Sequence, residues 1–272
     1  MALSSNPAFS NSSAFNGRGD VAARVNAPSP QELDELYNRP SATPVDTQRM
    51  TYEDTIVKTV SLFAVLLATA AVGWFVPGLF IVGMIAGLVL GLINTFKRQP
   101  SVPLIVGYAA AEGLFVGGIS SLFERIWPGV VVQAVIATLV TVGVVLALFA
   151  SGKVRASARA TKIFLVAMVA YLLFSLVNVG LMLFNAPIAG GAFGINSMMI
   201  PGTSIPFGVV IGALAVLLAS YSLVLDFEYV KQGVATGLPQ KFGWQAGFGI
   251  MVTVVWLYVE FLRLFAILRG SE

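Results

Sequence analysis

Three carboxylic acids lie inside long apolar stretches of the sequence, where ionisable side chains are costly. Glu112 is in YAAAEGLFVGG, Asp226 is in SYSLVLDFEYVKQG, and Glu260 is in WLYVEFLRLF. If these stretches span a membrane, an acid at mid-depth costs about 3 kcal/mol on insertion scales and faces other helices or water. Buried carboxylates of this kind relay protons or bind cations in passing. We therefore expect the three acids to carry the function and to converge on a shared interior.

The sequence neighbours of two of these acids suggest different roles. Glu260 is followed three residues later by Arg263, which is close enough on a helix for an ion pair. Glu260 is therefore either half of a structural pair or a proton or cation ligand in a polar path. Glu112 has no charged neighbour on its own helix, so it must be protonated, pair across helices or contact water.

Asp226 is distinguished from a nearby acid by its direction on the helix. Glu228 can form a surface pair with Lys231, and Asp226 points about 160° away from Glu228 around the helix. If Glu228 faces headgroups, Asp226 faces the bundle. The apolar span ends near Asp226, and an acid at a helix C-terminus is mildly unfavourable. This placement favours a functional role for Asp226.

The composition restricts the chemistry that the chain can perform. Apolar residues make up 57% of the sequence and charged residues 11%, against about 25% charged in soluble domains. Cysteine and histidine are absent, which excludes thiol chemistry, cysteine-bound metal sites and any imidazole base. We therefore expect no enzyme activity and no cofactor. The small net charge of +3 and the lack of a basic-aromatic groove predict no nucleic-acid partner.

Seven apolar stretches predict an all-α membrane protein, a bundle of seven transmembrane helices in a lipid bilayer. Each is close to the ~20 residues that a helix needs to cross the hydrocarbon core, and backbone groups in lipid must be paired within the segment. Small residues recur within them and predict close helix packing. The predicted spans are 56–76, 78–96, 102–122, 129–150, 163–185, 206–227 and 246–268.

The polar segments set the domain boundaries and the orientation. Residues 1–50 are rich in Ser, Asn and Pro and predict a disordered tail, followed by a transmembrane domain over residues 51–272. Thr51 and Asp54 form a capping-box variant at the start of the first helix. Among the connections between spans, the even ones carry the lysines and arginines, and the odd ones hold only Arg125. This predicts a protein of the cell membrane with a cytoplasmic N-terminus and an outer C-terminus.

The sequence resembles the Bax inhibitor-1/YccA-like membrane protein family, also called the transmembrane Bax inhibitor motif family. Four segments carry the resemblance, which runs from about Met50 to Leu268. They are MTYEDTIVKT before the first span, GYAAAEGLFVGGIS in the third, SLVLDFEYVKQGV in the sixth and WLYVEFLRLFAILRG in the seventh.

The resemblance implies a non-enzymatic membrane protein acting as a pH-sensitive calcium leak channel. The family's proposed gate is a pair of aspartates, one ending the sixth helix and one on the seventh. Asp226 matches the first, and Thr253 stands in place of the second. Glu260 lies about 10 Å further along the helix, too far to contact Asp226, whereas Thr253 can offer Asp226 a hydroxyl. Glu112 matches an acid that many members place on the third helix.

Two alternative functions are compatible with these features. The first is a cation leak for calcium or protons, in which Glu112, Asp226, Glu260 and the amides of Asn94 and Asn178 give weak oxygen coordination. A weak calcium site at Asp226 belongs to this alternative. The second is a non-conducting membrane regulator that binds a protein partner, such as a membrane protease, through its long tail.

Overall fold

The chain divides into two compact units, Met1–Thr43 and Pro44–Glu272. A computed structural model describes residues 48–184 and 193–270, together with Ser29 and Gln31. The predicted disordered tail, residues 1–50, therefore lies outside the described residues except for these two positions and residues 48–50. All of the long helices belong to the second unit.

Over the described residues, seven long α-helices make up this unit, and the predicted fold class is confirmed. All seven are long and apolar enough to cross a membrane, and the same residues contain no β-strand, only two isolated bridges. A 3₁₀ turn, Gly194–Ser197, lies between the fifth and sixth helices. The helices are α1 Tyr52–Phe75, α2 Leu79–Phe96, α3 Val102–Ile126, α4 Val130–Ala150, α5 Ala158–Leu183, α6 Phe207–Ala235 and α7 Phe242–Gly270.

Several helices extend beyond the apolar spans that the sequence defines. The sequence predicts α6 over 206–227, but the helix continues to Ala235, and α5 begins at Ala158 instead of 163. The reason is that backbone hydrogen bonding continues where the side chains become polar, beyond the hydrocarbon. At the start of α1 the predicted cap is confirmed, because Thr51 Oγ1 accepts a hydrogen bond of 3.1 Å from the Asp54 amide.

α7 lies at the centre of the bundle. Half of its most apolar stretch is buried, against 11% for α5. α7 packs against α1, α3, α4 and α6, whereas α5 packs mainly beside α6 and the 3₁₀ turn. Polar side chains on α7 can therefore meet side chains from several directions.

A backbone clasp joins the start of the bundle to the connection between α6 and α7. The Met50 amide donates to the Leu238 carbonyl at 2.7 Å, and the Gln240 amide donates to the Gln48 carbonyl at 2.8 Å. Lys58 on α1 binds Asp54 at 2.5 Å and the Gln240 carbonyl at 2.8 Å. These contacts fix the first residues of α1 against the connection that precedes α7.

Glycines on α3 allow α1 and α2 to approach closely, as the small-residue pattern predicts. A Cβ at Gly117 would collide with the Ala70 carbonyl of α1, and one at Gly118 would lie 2.6 Å from Phe80 Cβ of α2. The backbones on the two sides of α3 can be this close only if the side chain is a hydrogen atom.

Gly117→Ala should lower the free energy of unfolding by about 1–3 kcal/mol, because the added methyl group displaces the backbone of α1. Gly143→Ala on α4 is the matched control, since nothing lies within 4 Å of its added Cβ, and it should be neutral or slightly stabilising because alanine has the higher helix propensity. The measurement is equilibrium unfolding of both variants in detergent micelles. Equal stability of the two variants would contradict the close packing of α1 on α3.

Candidate functional site

Asp226 is bound to the central helix through a hydroxyl group. Thr253 Oγ1 of α7 lies 2.6 Å from Asp226 Oδ2 and donates a hydrogen bond to it. Ser222 Oγ, one turn before Asp226 on α6, is 3.3 Å from the same Thr253 hydroxyl. On α7 the close approach is made at Gly249, where a Cβ would be 3.1 Å from Asp226 Oδ1. Asp226, Ser222 and Thr253 thus form a three-residue oxygen cluster between α6 and α7.

The position of Asp226 along α6 differs from the sequence-based expectation. α6 does not end there but continues for about two and a half further turns to Ala235. The expected position of Asp226 at a helix C-terminus is therefore wrong, because Asp226 lies outside the last turn of α6, where the helix dipole acts. Its partner is Thr253 and not the end of its own helix. Glu228, in contrast, forms the expected surface pair, with Lys231 Nζ at 3.8 Å.

Glu260 is held in a dense hydrogen-bond network and is only 4% exposed. Arg263 Nη2 lies 2.5 Å from Glu260 Oε2, which forms the expected ion pair. Glu260 Oε1 accepts hydrogen bonds from the Tyr171 hydroxyl of α5 and, at 3.2 Å, from Trp256 Nε1. The carboxylate therefore has three donors, and two of them come from α7 itself. This network also joins the peripheral helix α5 to the centre of the bundle.

Glu112 borders a cavity of about 370 Å³ between α2, α3 and α7. Tyr108, one turn earlier on α3, interacts with its carboxyl group. Gly87 of α2 lies against the same group, where a Cβ would be 2.8 Å from Glu112 Oε2. Phe248 and Val252 of α7 form the opposite wall. No ion pair involves Glu112 among the residues that the structure describes.

The three acids border α7 at different places, so they do not converge as expected: Glu112 and Asp226 lie on different sides of the helix, and Glu260 is separated from Asp226 along its axis. Phe248 and Val252 face the Glu112 cavity, whereas Gly249 and Thr253 face Asp226. Adjacent positions on a helix are 100° apart, which separates the two faces. Glu260 lies about two turns further along. No hydrogen bond within the described ranges connects one of these acids to another.

Fewer side-chain oxygen ligands are available to a cation than the sequence suggests. Asn94 Nδ2 donates to the carbonyls of Leu90 and Leu104, and the Asn178 side chain binds the backbone of the 3₁₀ segment. Both amides therefore anchor local structure. Over residues 48–184 and 193–270, no group of three acidic side chains forms a metal site.

Sequence reasoning did not identify Tyr171, Ser222 or Tyr108 as partners of the acids. Tyr108 stands four residues before Glu112, and Ser222 four residues before Asp226, so helical spacing was a usable signal for these two. Tyr171 belongs to another helix from Glu260 and gave no such signal. Only the packing of α5 beside α7 brings it to Glu260.

Comparison with known proteins identifies a family whose model matches this sequence. A family model described as "Bax inhibitor 1 like" matches residues 6–270. The match begins far before Met50, so the expected starting point of the resemblance is wrong, while its end agrees closely. No curated protein matches the chain.

Arg263→Met should lower the free energy of unfolding by about 3 kcal/mol, because it leaves the buried Glu260 carboxylate without its cation. Adding Glu260→Gln should recover part of this loss, since the remaining group is neutral. The measurement is a double-mutant cycle in micelles.

The longer and less buried pair of Glu228 and Lys231 on α6, with 3.8 Å between the charged atoms, is the control for this cycle. Lys231→Met and Glu228→Gln should show a coupling of about 0–1 kcal/mol, as surface pairs do. A coupling at Glu260 and Arg263 no larger than this would contradict a buried ion pair.

Proposed function

Because the chain belongs to the Bax inhibitor 1 like family, we propose that this multi-pass membrane protein provides a pH-sensitive leak path for calcium or protons. It acts in the cell membrane, with the N-terminus in the cytoplasm and the C-terminus outside. No catalytic step is part of the proposal. The gate is the contact between Asp226 on α6 and Thr253 on α7.

The hydrogen bond from Thr253 to Asp226, 2.6 Å long, is the observation that supports this gate. It joins a titratable group on one helix to the central helix, so its strength depends on protonation. A hydrogen bond to a carboxylate is about twice as strong as one to a neutral acceptor. Protonation of Asp226 therefore weakens the contact, and the leak increases as the pH falls.

The oxygen cluster of Asp226, Ser222 and Thr253 also suits a passing cation. Calcium takes six to eight oxygen ligands when it is bound tightly, and the four side-chain oxygens of these three residues hold it only weakly. Conduction requires a site that an ion can leave as easily as it enters. In this proposal Glu112 and Glu260 are further polar positions along the path, and Arg263 orients Glu260 through their ion pair.

Asp226→Asn should raise the leak about tenfold at neutral pH and remove its pH dependence, since an amide cannot be ionised. Thr253→Val should also raise the leak, because it removes the hydrogen-bond donor. The measurement is calcium and proton flux into liposomes containing purified protein, from about pH 6 to about pH 8.

Glu228→Gln is the matched control for this experiment. It neutralises an acid on the same helix that pairs with Lys231 and should keep the wild-type flux and pH response. If Asp226→Asn and Glu112→Gln both conduct and respond to pH as the wild type does, the channel proposal fails.

The alternative is a non-conducting regulator. The family match includes residues 6–47, which precede the seven helices of the described residues. In this alternative the segment binds a protein such as a membrane protease. The acids would then be structural.

Deletion of residues 2–47 separates the two functions while leaving the clasp at Gln48 and Met50 intact. A channel should keep its calcium flux in liposomes after the deletion. A regulator should lose co-purification with its membrane partner, and its wild-type form should show no flux at any pH.

A further inference from the structure

The cavity beside Glu112 has the composition of a ligand site and opens toward the bilayer. Its volume of about 370 Å³ lies within the range of about 300–1,000 Å³ for small-molecule pockets. Leu88 and Leu92 of α2 line it and are more than half exposed. Because they lie in a membrane-spanning helix, their exposed sides face lipid, and a ligand can reach the cavity from the hydrocarbon.

The walls of this cavity combine one acid with aromatic rings. The carboxyl group of Glu112 and the hydroxyl-bearing ring of Tyr108 lie beside Phe115 and Phe248. Tyr108 and Phe248 meet edge to face, with ring centroids 4.9 Å apart. Aromatic faces attract cations, most strongly where water is excluded. A negative group and aromatic rings in an apolar cleft are complementary to a positively charged, hydrophobic ligand.

We propose that this cavity binds a membrane-partitioning amine, with its nitrogen at Glu112 and its hydrocarbon chain along α2. The cavity lies on a different face of α7 from the contact between Asp226 and Thr253, so amine binding can be tested whether or not the protein conducts ions. The amine reaches the cavity from the bilayer as the neutral base, which avoids the cost of carrying a charge through hydrocarbon. One proton then passes from the Glu112 carboxyl to the amine nitrogen, giving an ammonium–carboxylate pair.

The floor of the cavity fixes the position of the acid. Gly87 and Gly91 let the Glu112 carboxyl group and the Tyr108 ring lie directly against α2, since a Cβ would lie 2.8 Å from Glu112 Oε2 and 3.2 Å from that ring. The rest of the lining is apolar apart from Thr95. Glu112 is therefore the ionisable group that an amine meets in this cavity.

Photoaffinity labelling tests the proposal in phosphatidylcholine nanodiscs. The probes are a dodecylamine and a dodecanol that each carry a diazirine on the chain, and labelled peptides are mapped by mass spectrometry. We expect the amine to label α2 or α3 at the cavity about tenfold more than the alcohol, as a charge-assisted hydrogen bond predicts. Unlabelled dodecylamine should compete, and dodecanol should not.

Glu112→Gln should reduce amine labelling about tenfold and leave alcohol labelling unchanged. Glu228→Gln, which removes an acid outside the cavity, should label as the wild type does. Equal labelling by the two probes would show a cleft for acyl chains only and overturn the proposal. Amine labelling that persists in Glu112→Gln, or that maps to other helices, would also overturn it. If Glu112→Gln does not fold, the comparison of probes and competitors on the wild type decides alone.

Discussion

Hydrocarbon offers no hydrogen bonds, so each polar side chain at depth in this protein must find its partner on another turn or another helix. The central helix α7 takes part in several of the side-chain contacts between helices. Thr253 binds Asp226 of α6, and Glu260 binds Tyr171 of α5. α7 is therefore both the most buried helix and the common acceptor or donor for its neighbours. The glycines on α3 allow α1 and α2 to pack closely around this core.

The three acids lie in separate parts of the interior and share no common site. Asp226 lies between α6 and α7, Glu112 lies in a cavity between α2, α3 and α7, and Glu260 lies further along α7 toward α5. Each acid has different partners that offset the free-energy cost of burying its carboxyl group. Asp226 uses a hydroxyl donor, Glu260 uses a cation with two further donors, and Glu112 uses a tyrosine and an open cavity. Three environments allow three independent roles on one helix bundle.

The sequence was sufficient for the fold class because the length of apolar stretches is set by the bilayer alone. It also identified the Thr51 cap and the pairing of Glu260 with Arg263, since both depend on spacing within one helix. Contacts between helices were harder to predict. Tyr171 is an ordinary aromatic residue until its side chain reaches Glu260 and Trp256 of α7, and the Glu112 carboxyl group can lie against α2 only because Gly87 has no Cβ. Such features depend on how each helix is rotated, which hydropathy does not specify.

The short backbone clasp at Gln48 and Met50 can transmit force between two parts of the bundle. The strand-like pairing of Gln48 and Met50 with the residues around Leu238 ties the residues leading into α1 to the connection between α6 and α7. A pulling force on Gln48 would therefore act on this connection as well as on α1, and α6 and α7 are the two helices joined by the contact between Asp226 and Thr253.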